Sequence, residues 1–227
     1  MSAARVAAAI PAYNAAPSVA EVVRTTRAVL PDVLVVDDGS RDATAEVAAA
    51  AGARVLVQPE NRGKGAALAL AFRTLFAEGY DGVVTLDADG QHLAAEIPKL
   101  LDAARAGGDL VLGVRDHLFA EMSPLRRASN RLSSRAISFA AGQPLQDIQT
   151  GFRYYSRPLL ETVGMPEARF EAESAVVVRA ARSGFRVVCV PVRLGFADGR
   201  TSSHYRPLLD SLRIAGAVTS ARFRRRR

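Results

Sequence analysis

Short apolar, β-branched runs alternate with longer helical patterns through the first half of this chain, and nothing else restricts its fold as strongly. The predicted strands are Val6–Ile10, Val33–Asp37, Arg54–Val57, Gly82–Leu86 and Leu110–Gly113. Between them the 3.6-residue apolar period predicts helices over Ser18–Val29, Asp42–Ala50, Lys64–Ala77 and Ala94–Ala106. Successive strand–helix–strand units require an α/β fold with a parallel sheet and helices on both faces. Ser18, with Glu21 three residues on, reads as a capping box; Asp42, followed by Ala45, reads as a plain N-cap.

From about residue 115 the pattern loosens. An arginine-rich helix (Pro124–Ala141), a strand (Phe152–Ser156), a helix (Glu171–Ser183), a strand (Arg186–Val190) and a final amphipathic helix (Pro207–Ala221) are expected in order. In the last of these Leu208, Leu212 and Ala215 share one stripe. With no internal repeat and no linker, the expectation is one domain over residues 1–221 and a basic tail over 222–227. At 227 residues the chain is long enough to bury a substantial core. The single cysteine, Cys189, lies among Val187, Val188 and Val190, which predicts an inert buried thiol and excludes a disulfide framework. No apolar run approaches the roughly 18 residues a bilayer span needs, so a soluble or peripheral protein is expected.

The net charge of +7 is unevenly placed. Residues 199–227 hold eight arginines against one acid, Asp210, and eight minus one is the whole excess. The basic character therefore belongs to the end of the chain and suggests an anionic surface. Nucleic acid is a poor fit: aromatic residues are only 6%, too few for an interleaved stacking platform.

Polar clusters sit where the predicted strands stop: Pro11-Ala12-Tyr13-Asn14, Asp37-Asp38-Gly39-Ser40, Glu60-Asn61-Arg62-Gly63 and Asp87-Ala88-Asp89. In open α/β sheets ligands bind beyond the carboxyl ends of the strands, so all four would line one binding edge. The carboxylates of Asp87 and Asp89 repel each other and gain nothing from packing, which makes sense if a cation lies between them. Mg²⁺ prefers one or two carboxylates completed by phosphate oxygens and water. For Asp37-Asp38 alone, a strand end and helix cap explain the pair as well as a ligand does. Two acidic strand ends on one edge favour a sugar-nucleotide site. Gly63-Lys64-Gly65 is neither a P-loop, since Gln58 and Ala66 occupy the required Gly and Ser/Thr positions, nor a dinucleotide fingerprint, since it follows the third strand and has Leu68 at the last glycine position. It remains a helix start whose N–H groups and Lys64 could face an anion. His92 reads as a cap or a supporting group rather than a ligand, and His117 and His204 have no pairing for a zinc site. Without a Gly-x-Ser-x-Gly elbow, acyl hydrolysis has no support.

Five segments then occur in order: Ile10-Pro11-Ala12-Tyr13-Asn14, Val35-Val36-Asp37-Asp38-Gly39-Ser40, Asn61-Arg62-Gly63-Lys64-Gly65, Asp87-Ala88-Asp89-Gly90-Gln91-His92 and Asp147-Ile148-Gln149-Thr150-Gly151-Phe152-Arg153. Together they resemble the family 2 glycosyltransferases of the GT-A fold, and within them the dolichol- or polyprenyl-phosphate sugar synthases, from about residue 5 to residue 215. That resemblance implies a Rossmann-like, mostly parallel central sheet and a nucleotide-sugar donor. Pro11, Tyr13, Asn14, Asp37 and Asp38 would hold its base and ribose, with Lys64, Asp87 and Ala88 beside it. Asp89 and Gln91 would coordinate Mg²⁺ or Mn²⁺ on the diphosphate. Arg115, Arg131 and Ser133 would meet the acceptor phosphate, although the run Arg126, Arg127, Arg131, Arg135 leaves the register ambiguous. Arg200 would lie on a loop closing over the diphosphate. The family's Ile-Pro-x-Tyr-Asn-Glu pattern is broken here by Ala15, which leaves the choice of base open.

The implied reaction is a metal-dependent, inverting hexosyl transfer from a GDP-mannose or UDP-glucose type donor to a polyprenyl or dolichyl phosphate. It would take place on the cytoplasmic face of a membrane, reached through the basic tail or a separate membrane-anchoring subunit. Two alternatives stay open: transfer to a soluble or glycan hydroxyl with Asp147 as base, and a catalytically silent nucleotide-sugar-binding subunit.

Overall fold

The computed structural model describes residues 4–114, 138–143, 145, 150–169 and 171–195. Seven strands, β1 (Val6–Ala12), β2 (Val33–Asp37), β3 (Arg54–Val57), β4 (Gly82–Thr85), β5 (Leu110–Val114), β6 (Arg153–Ser156) and β7 (Val187–Pro191), form one sheet in the order β3-β2-β1-β4-β6-β5-β7. The helices are α1 (Val19–Arg27), α2 (Thr44–Ala50), α3 (Lys64–Ala77), α4 (Ile97–Arg105, entered through a 3₁₀ turn at Ala94–Glu96), α5 (Arg157–Val163) and α6 (Glu171–Arg182).

Period-two alternation sorts the strand side chains onto two faces. Ala7 and Ala9 of β1, Val83 of β4 and Leu110 and Leu112 of β5 enter one buried cluster with Leu68, Phe72 and Leu75 of α3 and Val176 of α6. Ala8 and Ile10, Val84 and Val111 enter the other, with Val19 and Val23 of α1 and Ile97 and Leu100 of α4. The expected three layers, helices over both faces of a mostly parallel sheet, are therefore present.

One strand runs against the rest. β6 pairs antiparallel with β4 (Thr85 opposite Arg153) and with β5 (Leu112 opposite Arg153), whereas β1, β2, β3 and β4 are mutually parallel and β5 is parallel to β7. β5 ends on the carboxyl edge, and the chain re-enters the sheet at that same edge, so β6 has to run back down. Gly151 and Phe152, just before it, are thereby delivered to the edge where ligands bind.

Two predicted caps form differently. Ser18 makes no side-chain cap bond; its hydroxyl donates to the Ala88 carbonyl at 2.7 Å, so the capping box with Glu21 is not built and Ser18 instead ties α1 to the turn after β4. Asp42 stands two residues before α2 and accepts the Thr44 N–H at 3.1 Å, which moves the helix start to Thr44. The predicted helices over Pro124–Ala141 and Pro207–Ala221 lie outside the described residues, except for the helical residues 138–141.

Candidate active site

β1 is flanked by β2 and β4, so the acidic ends of those two strands lie on either side of the Pro11–Asn14 segment. On the β2 side the turns interlock. Asp37 Oδ1 accepts the Ser40 N–H at 2.9 Å, Ser40 Oγ accepts the Asn14 N–H at 2.8 Å, and Asn14 Oδ1 accepts the Arg41 N–H at 2.9 Å. Asn14 sits in the left-handed region (φ 50°), a conformation its short amide side chain tolerates. Ala15, where the family pattern has Glu, donates its N–H to Thr44 Oγ1 at 2.7 Å. Asp38 is buried and turned toward the β3–α3 loop. Its Oδ1 accepts from Gln58 Nε2 (2.7 Å) and the Arg62 N–H (2.8 Å), and its Oδ2 accepts the Gly63 N–H (2.7 Å). Burial pushes this carboxyl above the usual range despite the lowering effect of the Arg62 and Gly63 N–H groups. Gly39 makes the approach of the two loops achievable: at φ +72°, a Cβ there would stand 2.6 Å from the Glu60 carbonyl carbon.

Three N–H groups at and just before the glycine-rich helix start are already taken by acceptors within the protein. The Arg62 and Gly63 N–H groups go to Asp38, and the Ala66 N–H goes to the Ala168 carbonyl at 2.9 Å. Lys64 faces carboxylates: its Nζ lies 2.6 Å from Asp87 Oδ1 and 2.9 Å from Glu173 Oε2, with 15% of its side chain exposed. Burial alone would lower the Lys64 pKa, but the two carboxylates outweigh it and raise it above the ordinary lysine value.

At the end of β4, Asp87 leans on Lys64 and on Gly151, where an added Cβ would fall 2.5 Å from Asp87 Oδ2. Burial pushes the Asp87 carboxyl up, but Lys64 foremost reverses this and holds it at about 2. The carboxylate is not sealed off, since 32% of its side chain stays exposed. His92 is buried, stacks on Phe152 with centroids 5.3 Å apart, and accepts the Asp87 N–H on Nδ1 at 3.0 Å. That bond leaves Nδ1 without a proton and makes His92 a brace for the turn, as its position at a helix start predicts. The other side of the turn is held by the segment after β7, through the Gly195 N–H to the Gln91 carbonyl (3.0 Å) and a His92–Leu194 bridge.

Asp89 differs from Asp87. It is half-buried, its Oδ1 accepts the Gln91 N–H at 3.0 Å, and it has no ion pair among the described residues. A half-open carboxylate with a glutamine two residues on offers the oxygen-donor residue types that suit Mg²⁺ or Mn²⁺. Among the described residues no group of three or more His, Cys, Asp or Glu side chains is placed to hold a metal ion by itself.

Of the sequence-predicted residues, Pro11, Tyr13, Asn14, Asp37, Asp38, Lys64, Asp87, Ala88, Asp89 and Gln91 all lie along this edge. Arg115, Arg131, Ser133, Asp147, Arg200 and the 222–227 tail lie outside the described residues. Sequence reasoning missed Glu173, and it gave Arg153, the last residue of the fifth segment, no role. Arg153 is fully buried, with Nε donating to the Thr150 carbonyl (2.7 Å) and a terminal nitrogen to the Glu173 carbonyl (2.8 Å). The available signal for Glu173 was one acid flanked by Ala172, Ala175 and Val176 in a helix otherwise apolar on that face.

The glycosyl transferase family 2 model matches residues 8–164, more than half of the chain. The chain belongs to this family. Its relatives include the glycosyltransferase AglJ of Haloferax volcanii, 34% identical over 222 residues, covering 95% of this chain and 70% of that protein. The polyprenol monophosphomannose synthase of Mycolicibacterium smegmatis is 34% identical over 197 residues (81% and 74% covered). The undecaprenyl-phosphate mannosyltransferase of Micrococcus luteus is 33% identical over 201 residues (83% and 82%). In structure the chain resembles the glucosyl-3-phosphoglycerate synthase of Mycobacterium tuberculosis crystallised with Mn²⁺, UDP and phosphoglyceric acid, with a TM-score of 0.73 at 23% identity, covering 97% of this chain and 79% of that one. The fold is therefore GT-A and the protein a family 2 glycosyltransferase. No helix among the described residues is long and apolar enough to cross a membrane.

Proposed function

We propose that this glycosyltransferase moves a hexose from a nucleotide-sugar to a polyprenyl phosphate, with inversion at the anomeric carbon. The observation that carries the reading is the contrast on the turn after β4: Asp87 is paired with Lys64, while Asp89 accepts the Gln91 N–H and has no ion pair among the described residues. Two relatives named for polyprenol or undecaprenyl phosphate, each about a third identical over four-fifths of this chain, support the lipid acceptor.

In this reading Pro11, Tyr13, Asn14, Asp37 and Asp38 hold the base and ribose of the nucleotide-sugar with Lys64 nearby, Asp87 faces the ribose side of the donor, and Ala88 lies beside it. Asp89 and Gln91 hold Mg²⁺ or Mn²⁺. When bound, the ion supplies positive charge where the departing nucleotide diphosphate gathers negative charge. Arg115, Arg131 and Ser133 bind the acceptor phosphate, guanidinium forks matching phosphate oxygens. Arg200 covers the diphosphate. A phosphate acceptor is already anionic near neutral pH and needs no base; a hydroxyl acceptor would need one, and Asp147 would supply it. The domain extends over 1–221, and the tail over 222–227 brings it to an anionic cytoplasmic leaflet, with a separate membrane subunit as the other route.

The test offers the full chain GDP- and UDP-sugars with Mg²⁺ or Mn²⁺ and a short polyprenyl phosphate, and reads organic-extractable, mild-acid-labile sugar. Product from one donor, absent in Asp89→Asn, is the expected result. Metal-dependent nucleotide release without lipid product would move the acceptor to a soluble molecule. Nucleotide binding with neither transfer nor hydrolysis would leave a silent subunit.

A further inference from the structure

Behind the donor edge lies a closed group of four charges: Lys64, Arg153, Asp87 and Glu173. Lys64 bridges Asp87 (2.6 Å) and Glu173 (2.9 Å), and Arg153 Nε stands 3.8 Å from Glu173 Oε1. Arg153 is fully buried, and Glu173 has 7% of its side chain exposed. Two cations and two carboxylates balance, as burial demands.

Ala172, Ala175, Val176, Val177 and Val178 around Glu173 in α6 are all fully buried, so what calls for an acid here is its charge partners, Lys64 and Arg153. Glu173 Oε1 makes no hydrogen bond among the described residues, an arrangement that costs stability. What Glu173 does hold, through Oε2, is the Lys64 ammonium, and Lys64 holds the carboxylate that ends β4. Arg153 steadies the same group from below. It ties the Glu173 carbonyl to the Thr150 carbonyl, and Thr150 precedes the glycine whose backbone abuts Asp87.

Resting on the donor-site reading above, we propose that Glu173 is a positioning residue of the reaction. By anchoring Lys64 from behind, it keeps the ammonium on Asp87, so that the Asp87 carboxylate stays fixed in place while Asp89 takes the metal. Without Glu173, Lys64 loses one of its two anchors and can swing toward the incoming diphosphate or out of the cluster, and the Asp87 carboxylate then loses its 2.6 Å ion pair.

The test is a double-mutant cycle read by isothermal titration of the full chain with Mn²⁺ plus UDP and Mn²⁺ plus GDP, using whichever nucleotide binds. Glu173→Gln, which keeps shape and removes charge, is expected to weaken metal-dependent nucleotide binding about tenfold or more, the usual effect of removing a group that orients a ligand side chain. In a Lys64→Met background the same change is expected to do nothing further, because its effect passes through Lys64. A merely structural Glu173 would weaken binding equally in both backgrounds. Glu173→Gln within twofold of wild type, or an undiminished effect in Lys64→Met, overturns the positioning role. If Glu173→Gln does not fold, the charge-balanced Lys64→Met/Glu173→Gln protein compared with Lys64→Met decides by the same criterion. Asp89→Asn separates the two levels. Binding abolished there with Glu173→Gln silent removes only the positioning role, whereas absent or Mn²⁺-independent nucleotide binding removes the donor site and the role together.

Discussion

Gly151→Ala is the sharpest probe of the turn that ends β4. Gly151 has a backbone that other residues can adopt, so the substitution tests space and not conformation. The new Cβ would stand 2.5 Å from Asp87 Oδ2 and 2.6 Å from Oδ1. Ordinary contact begins near ~3.4 Å, so the carboxylate has to retreat by roughly 1 Å, a displacement that can cost on the order of 100-fold in turnover. It cannot retreat freely, because Oδ1 is held at 2.6 Å by Lys64. Relief therefore comes either by stretching that ion pair or by shifting the Thr150–Gly151 backbone, whose Gly151 carbonyl accepts the Thr85 hydroxyl at 2.7 Å. Overpacking of this kind destabilises by about 1–3 kcal/mol, which a domain of this size survives. The expected result is a folded protein with kcat/KM for the sugar donor down about 100-fold, measured by steady-state transfer alongside urea unfolding. A Gly151→Ala enzyme within about threefold of wild type would refute the claim that the position of Asp87 is set by Lys64 and Gly151 together.

Asp89→Asn should abolish transfer while leaving the unfolding midpoint almost unchanged, since Asp89 is half-exposed and has no ion pair among the described residues; retained activity would remove it from the metal site. Deleting residues 222–227 should weaken binding to anionic vesicles, with the difference disappearing at high salt; equal binding with and without the tail would end that account of attachment. In acid, Asp87 and Asp38 should act with opposite sign. Asp87, depressed to about 2, stabilises the fold above its unfolded value near ~3.9 and loses that contribution as pH falls toward 2, so Asp87→Asn should flatten the acid loss of stability. Asp38, raised by burial, binds its proton more readily folded than unfolded, so Asp38→Asn should steepen the loss; parallel acid limbs in urea titrations at several pH values would refute both assignments.

How much of this was legible in the sequence depends on the length scale of the signal. β2, β3 and α3 have their predicted bounds, because Val33–Asp37, Arg54–Val57 and Lys64–Ala77 are each closed by strong punctuation: Pro31 and Gly39, Gly52 and Pro59, Gly63 and Gly79. The reversed direction of β6 was not legible, since a four-residue run carries no record of which edge the chain re-enters from. Ser18 and Glu21 satisfy the capping-box spacing, yet the hydroxyl goes to Ala88, 70 residues away, where the better acceptor lies. Lys64 follows the same rule. Beside two glycines at a helix start it reads as an anion's partner, and its anions are the protein's own Asp87 and Glu173. Local spacing picked out candidate residues that the fold gathers on one edge; the charge partners among them come from strands and helices more than 20 residues apart, which no local pattern encodes.

The four carboxylates at the two acidic strand ends also differ in a way that electrostatics explains. A donor diphosphate arrives as an anion, and a bare carboxylate 4 Å from one of its charges would repel it by about 4 kcal/mol at an effective dielectric of 20. Four such groups on one edge would work against the proposed nucleotide-sugar donor. The fold removes the conflict one residue at a time. Asp37 accepts the Ser40 N–H within its own turn, and Asp38 is buried and directs both oxygens into the 58–63 loop. Asp87 is neutralised by Lys64, which Glu173 anchors from behind. Asp89 accepts the Gln91 N–H much as Asp37 accepts that of Ser40, and neither has an ion pair among the described residues, but Asp37 is buried and Asp89 half-buried. In the proposed reading that leaves Asp89 the more open of the two to a divalent ion shared with phosphate oxygens. Much of the acidity of the edge is thus internal wiring for the loops.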